Sequence, residues 1–400
     1  MTHSKYLLAT LCALLTSPAI SQDTQVGPRP LYLVDRMDDG ALKDKLLSCA
    51  NDPVTRTAFS IGHRGAALQF PEHTAQSYTA ASRMGAGIIE CDVTFTSDKK
   101  LVCRHAQNDL HTTTNILATE LANKCTTPFS PAKDGAPASA ECRTSDLTLA
   151  EFQTLIGKMD AADSSATTLE GYMNATADWR TDLYAHQGSL MTHAQSIALI
   201  KSAGGKFTPE LKSPAVTMPF NGFTQEAYAQ MMIDEYKAAG IPATDVWAQS
   251  FNLDDILYWI KAEPEFGAQA VYLVQWHDGF DEQDHTTWKE DFASLKSQGV
   301  NYLAPSMNML MTNADGELAA SNYAKAAREA GLLLISWSLE RSGPLHTGGG
   351  WYYKSVNDLI TSDGDLYEVI DTLAQDVGVV GLFSDWPATV SYYASCMKLP

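Results

Sequence analysis

From Phe59 onward, short apolar runs alternate with segments whose apolar residues recur at a period near 3.6. The strand candidates are Phe59–Gly62, Gly87–Thr94, Lys206–Leu211, Asp245–Ser250, Ala270–Gln275, Tyr302–Ala304, Leu332–Trp337 and Val379–Ser384. Helical patterns lie between most of them, at Ala75–Met84, His193–Ala203, Gln225–Ala239, Leu253–Ala262, Thr286–Ser297, Gly316–Ala330 and Asp365–Asp376. A last helix is expected after Trp386. Eight strands, each followed by a helix, predict an α/β fold of the (β/α)8 TIM-barrel type. Strands that are apolar almost throughout suit a parallel sheet buried on both faces. A doubly wound sheet is the competing architecture, but it does not require eight units.

One region breaks the alternation. Residues 106–190 hold no clean βα unit, only a Pro/Ala/Gly-rich loop and a helix near Leu147–Gly157. They read as an insertion after the second βα unit, on the loop side where active sites form. The barrel is therefore expected over residues 58–400, with residues 22–57 as an extended lead-in holding one short helix near Gly40–Ala50. Residues 1–21 have the pattern of a cleavable signal peptide. Lys5 is the charge, Tyr6–Leu15 is apolar but too short to span a bilayer, and Ala19 and Ser21 are small residues for a cut after Ser21. This points to a secreted or periplasmic protein without a stable membrane anchor.

That address changes the reading of the seven cysteines. Cleavage removes Cys12 and leaves six, an even number with fifteen possible connectivities and no CxxC pair for zinc. The expected pairs are Cys125–Cys142, flanking the Pro/Ala/Gly-rich loop, Cys91–Cys103, flanking the turn at Ser97–Lys100, and Cys49–Cys396, tying the chain's two ends. The formal charge of −19 repels nucleic acid and anionic membranes, so a nucleic-acid partner is not expected. The sequence leaves the oligomeric state open. Asn174-Ala175-Thr176 is an N-glycosylation sequon, of consequence only in a eukaryotic host.

In such a barrel the chemistry gathers at the C-terminal ends of strands, and polar residues fall there. His63 and Arg64 end the first strand, and Glu90 and Asp92 lie two apart on the second, sharing one face. Glu210 and Lys212 end the third in the same spacing. Gln249-Ser250 end the fourth, Gln275 the fifth, Trp337 the seventh and Asp385 the eighth. Three carboxylates from neighbouring strands suit a hard divalent cation. Two histidines, His63 and His105, suit general acid–base work, and Arg64 and Lys212 suit a phosphate. Each residue also has a plainer reading. Glu90 and Asp92 fit an edge strand's polar face, but Ile88, Ile89 and Val93 make that strand look buried. His63 alone fits a packed histidine, Glu72 an ion-pair partner of Arg64, and Glu210 a helix-start carboxylate. Trp337 fits core filling as well as a substrate wall, and Asp385 reads as the cap of the last helix. His111 sits near the site in sequence, and Gly348-Gly349-Gly350 reads as a flexible loop near the barrel mouth. No GxSxG motif is present, which argues against a serine hydrolase of that type.

His63-Arg64-Gly65, Pro71-Glu72 with Thr74, Glu90-x-Asp92, Thr96-x-Asp98, Leu101-Val102 before His105, Glu210-Leu211-Lys212 and Asp385-x-Pro387 occur in this order from about residue 59 to 390. In this the chain resembles the glycerophosphodiester phosphodiesterase family, and its cysteine-bearing insertion resembles that of exported, fungal-type members. The resemblance implies a (β/α)8 barrel with an insertion after the second unit. It implies Glu90, Asp92 and Glu210 as ligands of one divalent cation, with calcium preferred to magnesium. It implies His63 and His105 as the acid–base pair, Arg64 and Lys212 as phosphate contacts, and Glu72 as a further site residue. The implied reaction splits a small-molecule glycerophosphodiester, such as glycerophosphocholine, into glycerol 3-phosphate and an alcohol. Two positions depart from the family's usual pattern: His73 stands where Asn is common, and Ala106 where Asp often follows the second histidine.

Two other readings compete. One is a lipid-acting barrel enzyme, sphingomyelinase D-like or phosphoinositide phospholipase C-like, which the complete PE-x-T and ELK set opposes. The other is an inactive phosphodiester-binding protein, which would be expected to have lost a histidine or a metal carboxylate; none is lost.

Overall fold

The computed structural model of the chain describes residues 24–182 and 187–400. The expected leader, Cys12 and His186 lie outside the described residues. Eight parallel strands form the centre: β1 (Thr57–Gly62), β2 (Ala86–Phe95), β3 (Lys206–Leu211), β4 (Gln249–Ser250), β5 (Val271–Leu273), β6 (Tyr302–Ala304), β7 (Leu333–Leu339) and β8 (Gly381–Ser384). Each pairs with its neighbour in sequence, and β1 pairs with both β2 and β8, so the sheet closes into the expected (β/α)8 barrel. The helices outside it begin where the sequence offers an oxygen to their unpaired N–H groups. Thr74, Thr192, Thr224, Asn252, Asp291 and Ser321 each accept a bond from the first turn.

The two-residue period of the strands decides what the barrel holds. Ile61, Ile88, Val271, Leu273, Ala304, Ile335 and Phe383 pack together inside it. The alternate residues, among them Ile89, Val93, Phe207 and Leu334, join the larger cluster beneath the helices. Two residues on from Ile61, Ile88, Ile335 and Phe383, at the C-terminal rim, the same columns present His63, Glu90 and then Asp92, Trp337 and Asp385. On β3 the column runs Thr208, Glu210, Lys212.

All three expected disulfides are present, Cys49–Cys396, Cys91–Cys103 and Cys125–Cys142. Between Cys103 and β3 the chain builds a second small core around Leu110, Ile116, Leu147, Phe152 and Tyr172. Its hairpin, Thr127–Ser130 with Ser139–Glu141, is bridged by Cys125–Cys142. Several expectations of secondary structure need correction. The helix expected near Leu147–Gly157 is only Leu149–Phe152, and Ile156–Gly157 is a short strand paired with Gly188–Ser189. The strand expected at Asp245–Ser250 is only Gln249–Ser250. The lead-in holds two helices, Arg29–Asp35 and Ala41–Ser48, rather than one. The helix expected at Gly316–Ala330 is Asn322–Glu329. Asp315-Gly316, both at positive φ, turn a hairpin of Met311–Ala314 with Glu317–Ala320 before it. The helix expected from Thr286 starts only at Phe292, where Asp291 caps it.

Candidate active site

The register of the parallel strands brings the three carboxylates together. Asp92 lies beside Glu210 and Glu210 beside Gln249. Oxygens of Glu90, Asp92 and Glu210 lie within 4.8 Å of one another, and all three residues are buried. Glu90 is held by the Gln249 amide at 2.9 Å and by the Arg64 backbone N–H at 2.9 Å. Asp92 accepts from His73 Nε2 at 2.8 Å, while its Oδ1 is buried without a hydrogen-bond partner. Glu210 pairs with Lys212 at 2.6 Å. Burial and the two neighbouring carboxylates push the Glu90 carboxyl well above the usual range. Burial raises Glu210 to about 7 despite Lys212. For Asp92, burial is outweighed by His73 and Lys212, which hold it low. Three crowded, buried carboxylates with an oxygen left unpaired fit a divalent cation.

His63-Arg64-Gly65 makes a sharp turn off β1. Arg64 and Gly65 both have positive φ, and a Cβ at Gly65 would collide with Ser77, so only glycine fits there. The turn aims Arg64 inward. Its Nη1 meets Glu72 Oε2 at 2.7 Å, and its Nε lies 3.7 Å from Asp92. His63 Nδ1 donates to Asp385 Oδ1 at 2.5 Å, with Ser338 Oγ at 3.0 Å, and its Nε2 stands 3.9 Å from Glu90 Oε2. Burial lowers the affinity of His63 for a proton, and Asp385 opposes that. Burial, then Arg64 and Lys212, lower His105 well below the ordinary histidine value.

His63, Arg64, Glu90, Asp92, His105, Glu210, Lys212 and Trp337 share one cavity of about 70 Å³, walled also by Phe251, Leu273, Tyr352 and Phe383. Trp337 is fixed by its indole N–H on the Ala304 carbonyl at 2.8 Å. Glu72 stands just behind the cavity, held between Arg64 and Arg341 (3.3 Å). Gln275 is exposed and outside the cavity, and His111 bonds within the insertion through Cys142 N–H.

Asp385 is a correction. It does not cap the last helix, Ala388–Met397, which has no side-chain cap. Its second oxygen accepts from Arg341 at 3.1 Å, and Arg341 also meets Asp160 of the inserted segment at 2.7 Å. The in-phase spacing from inward Phe383 was the available signal for Asp385; nothing local marked Arg341, Asp160 or Tyr352. The two departures in sequence also have a place. His73 braces Asp92, itself steadied by Tyr78 Oη at 2.9 Å. Asp109 folds back onto the Ala106 N–H at 2.9 Å, which puts an oxygen within 4.8 Å of ligand atoms of His105 and Glu72. Glu72 is already spent on two arginines, so this second group fits a cation less well than the first.

The family model described as the glycerophosphoryl diester phosphodiesterase family matches residues 63–389. A protein of Arthroderma benhamiae described as an extracellular protein is 45% identical over 247 residues, covering 60% of this chain and 100% of that one. A glycerophosphodiester phosphodiesterase of Haemophilus influenzae is 24% identical over 364 residues, covering 85% of this chain and 90% of that one. A solved structure from Silicibacter pomeroyi aligns with a TM-score of 0.56 at 17% identity, covering 88% of this chain and 97% of that one, and so supports the barrel fold.

Proposed function

The chain belongs to the glycerophosphoryl diester phosphodiesterase family, and from that premise we propose a metal-dependent hydrolase with His63 and His105 as its acid–base pair. Its products are glycerol 3-phosphate and an alcohol. The observation that carries the reading is the buried Glu90–Asp92–Glu210 trio, set in one cavity with both histidines, Arg64 and Lys212. The trio would hold the cation, calcium in preference to magnesium, which when bound polarises the phosphoryl oxygens. Arg64 and Lys212 bind and orient the phosphate. Glu72 keeps Arg64 extended toward it, and Trp337 walls the substrate. Because Nδ1 of His63 is bound to Asp385, its Nε2 carries the lone pair and can take the proton of the attacking hydroxyl. That hydroxyl is the substrate's own 2-hydroxyl. Its oxygen bonds to phosphorus, the bond to the headgroup oxygen breaks, and His105 gives that oxygen a proton. Water then opens the cyclic phosphate. The substrate's negative charge offsets Arg64 and Lys212, so His105 gains its proton as substrate binds.

In this reading residues 106–190 are an insertion over the barrel mouth and residues 22–57 a lead-in. Residues 1–21 direct export to a periplasm or the cell exterior. Three disulfides and the relative described as extracellular support export. No described helix is long and apolar enough to cross a membrane. The test is release of glycerol 3-phosphate from glycerophosphocholine by the mature chain. It is run with calcium, after chelation, and after restoring calcium or magnesium separately. Release that needs the cation, and returns best with calcium, is expected. No release with any metal, from folded and disulfide-intact protein, overturns the reading.

A further inference from the structure

The cavity at the carboxylate trio is only about 70 Å³, well below the roughly 300–1,000 Å³ of pockets that enclose a whole ligand. It suits a phosphoryl group, so the rest of a diester must leave along one wall. One wall is aromatic and continues outward. Trp337 meets Tyr352 at 5.7 Å between ring centroids, Tyr352 meets Trp351 at 5.0 Å, and Trp351 meets Trp276 at 6.1 Å. Trp337 and Tyr352 line the cavity, while Trp351 is 38% exposed at the surface.

At the outer end of this row a cation is already in place. Lys354 Nζ sits 3.0 Å from the centroid of the Trp276 ring and 5.5 Å from that of Trp351. Glu282 and Asp278 are the carboxylates whose charge bears on it. Two indole faces with nearby carboxylates make an environment for a positive group. We propose that the Trp276–Trp351 pair is the subsite for an alkylammonium headgroup, quaternary ammonium above all, and that Lys354 is the internal cation this headgroup displaces. The inference rests on the diesterase reading and deepens it by naming the substrate class. A primary ammonium is strongly hydrated and loses that hydration on entering the box; burial already weakens the hold of Lys354 on its proton. A quaternary ammonium is weakly hydrated and gives up less, so exchange favours it.

The test compares glycerophosphocholine with glycerophosphoglycerol, which share the phosphate and the glycerol but differ in headgroup charge. The readout is the ratio of their kcat/KM values on the full disulfide-intact chain with calcium. Trp276→Ala is expected to lower the ratio about tenfold, the scale of one desolvated cation–π contact. Lys354→Met is expected to raise it, a direction that misfolding cannot produce. A ratio within twofold of wild type in both variants overturns the subsite. Tetramethylammonium supplies a binding readout without turnover. Its quenching of tryptophan fluorescence is expected in wild type and lost in Trp276→Ala; equal quenching in both overturns the proposal. If neither diester is cleaved but this quenching behaves as expected, the activity reading falls and the cation subsite stands.

Discussion

Replacing Asp385 by Asn isolates the tautomer argument. Asp385 is fully buried and accepts on both oxygens, from His63 at 2.5 Å and from Arg341 at 3.1 Å. Arginine has only donors to offer. An Asn at this position must turn its oxygen to Arg341, which leaves its NH2 facing His63 Nδ1. That nitrogen then has to accept, so the proton moves to Nε2 and the ring can no longer act as base. When a buried carboxylate that orients a catalytic histidine is made an amide, the loss reaches about 10⁴ in kcat in serine proteases. Because His63 here also has Ser338 at 3.0 Å, a loss of about 10²–10⁴ is expected, or about 3–5 kcal/mol of barrier. Folding should suffer less. Arg341 keeps Asp160 at 2.7 Å and Glu72 at 3.3 Å, so the cost to stability should be about 1–3 kcal/mol. The assay is kcat for glycerol 3-phosphate release, with thermal unfolding in parallel. A folded variant with kcat within threefold of wild type would refute the reasoning.

Calcium should raise Tm in wild type, by about 2.7 kcal/mol of stability at a hundredfold excess over Kd, and the rise should vanish in Asp92→Asn; an equal rise in both would remove the trio as the cation site. Burial lifts Asp109 to about 7, with Glu72 adding and Arg104 opposing. The folded value exceeds the unfolded one, so the contribution is full below about pH 4 and is lost as pH rises through 7, about 4 kcal/mol at most. Urea unfolding at pH 5 and pH 8 should show this difference shrink in Asp109→Asn. Cys49–Cys396 closes the chain across 347 positions, and Cys396→Ser should cost about 2–5 kcal/mol, read as a lower Tm under non-reducing conditions.

The parts of this molecule that sequence disclosed are those where period and chemistry coincide. A two-residue alternation runs Ile88, Glu90, Asp92, and the same alternation runs Thr208, Glu210, Lys212. Once the strands are taken as parallel, register alone brings Asp92 beside Glu210. The place of His63 and Arg64 at a strand end was legible for a similar reason, since the apolar run of β1 stops there. What stayed hidden depends on contacts between distant segments. Asp160, Arg341 and Asp385 are separated by 181 and 44 residues, and no local pattern predicts that one guanidinium joins them. Asp385 was misread because an acidic residue before Trp-Pro and a helix has a ready local use as a cap, and local use was all the sequence could weigh. His73 shows the same limit from the other side. In sequence it stands only as a departure from a family pattern, with no partner to give it a role. Packed against Tyr78, with its Nε2 on Asp92, it instead sets the direction of a carboxylate, so exchanging it for Asn should disturb cation affinity before it disturbs the choice of headgroup.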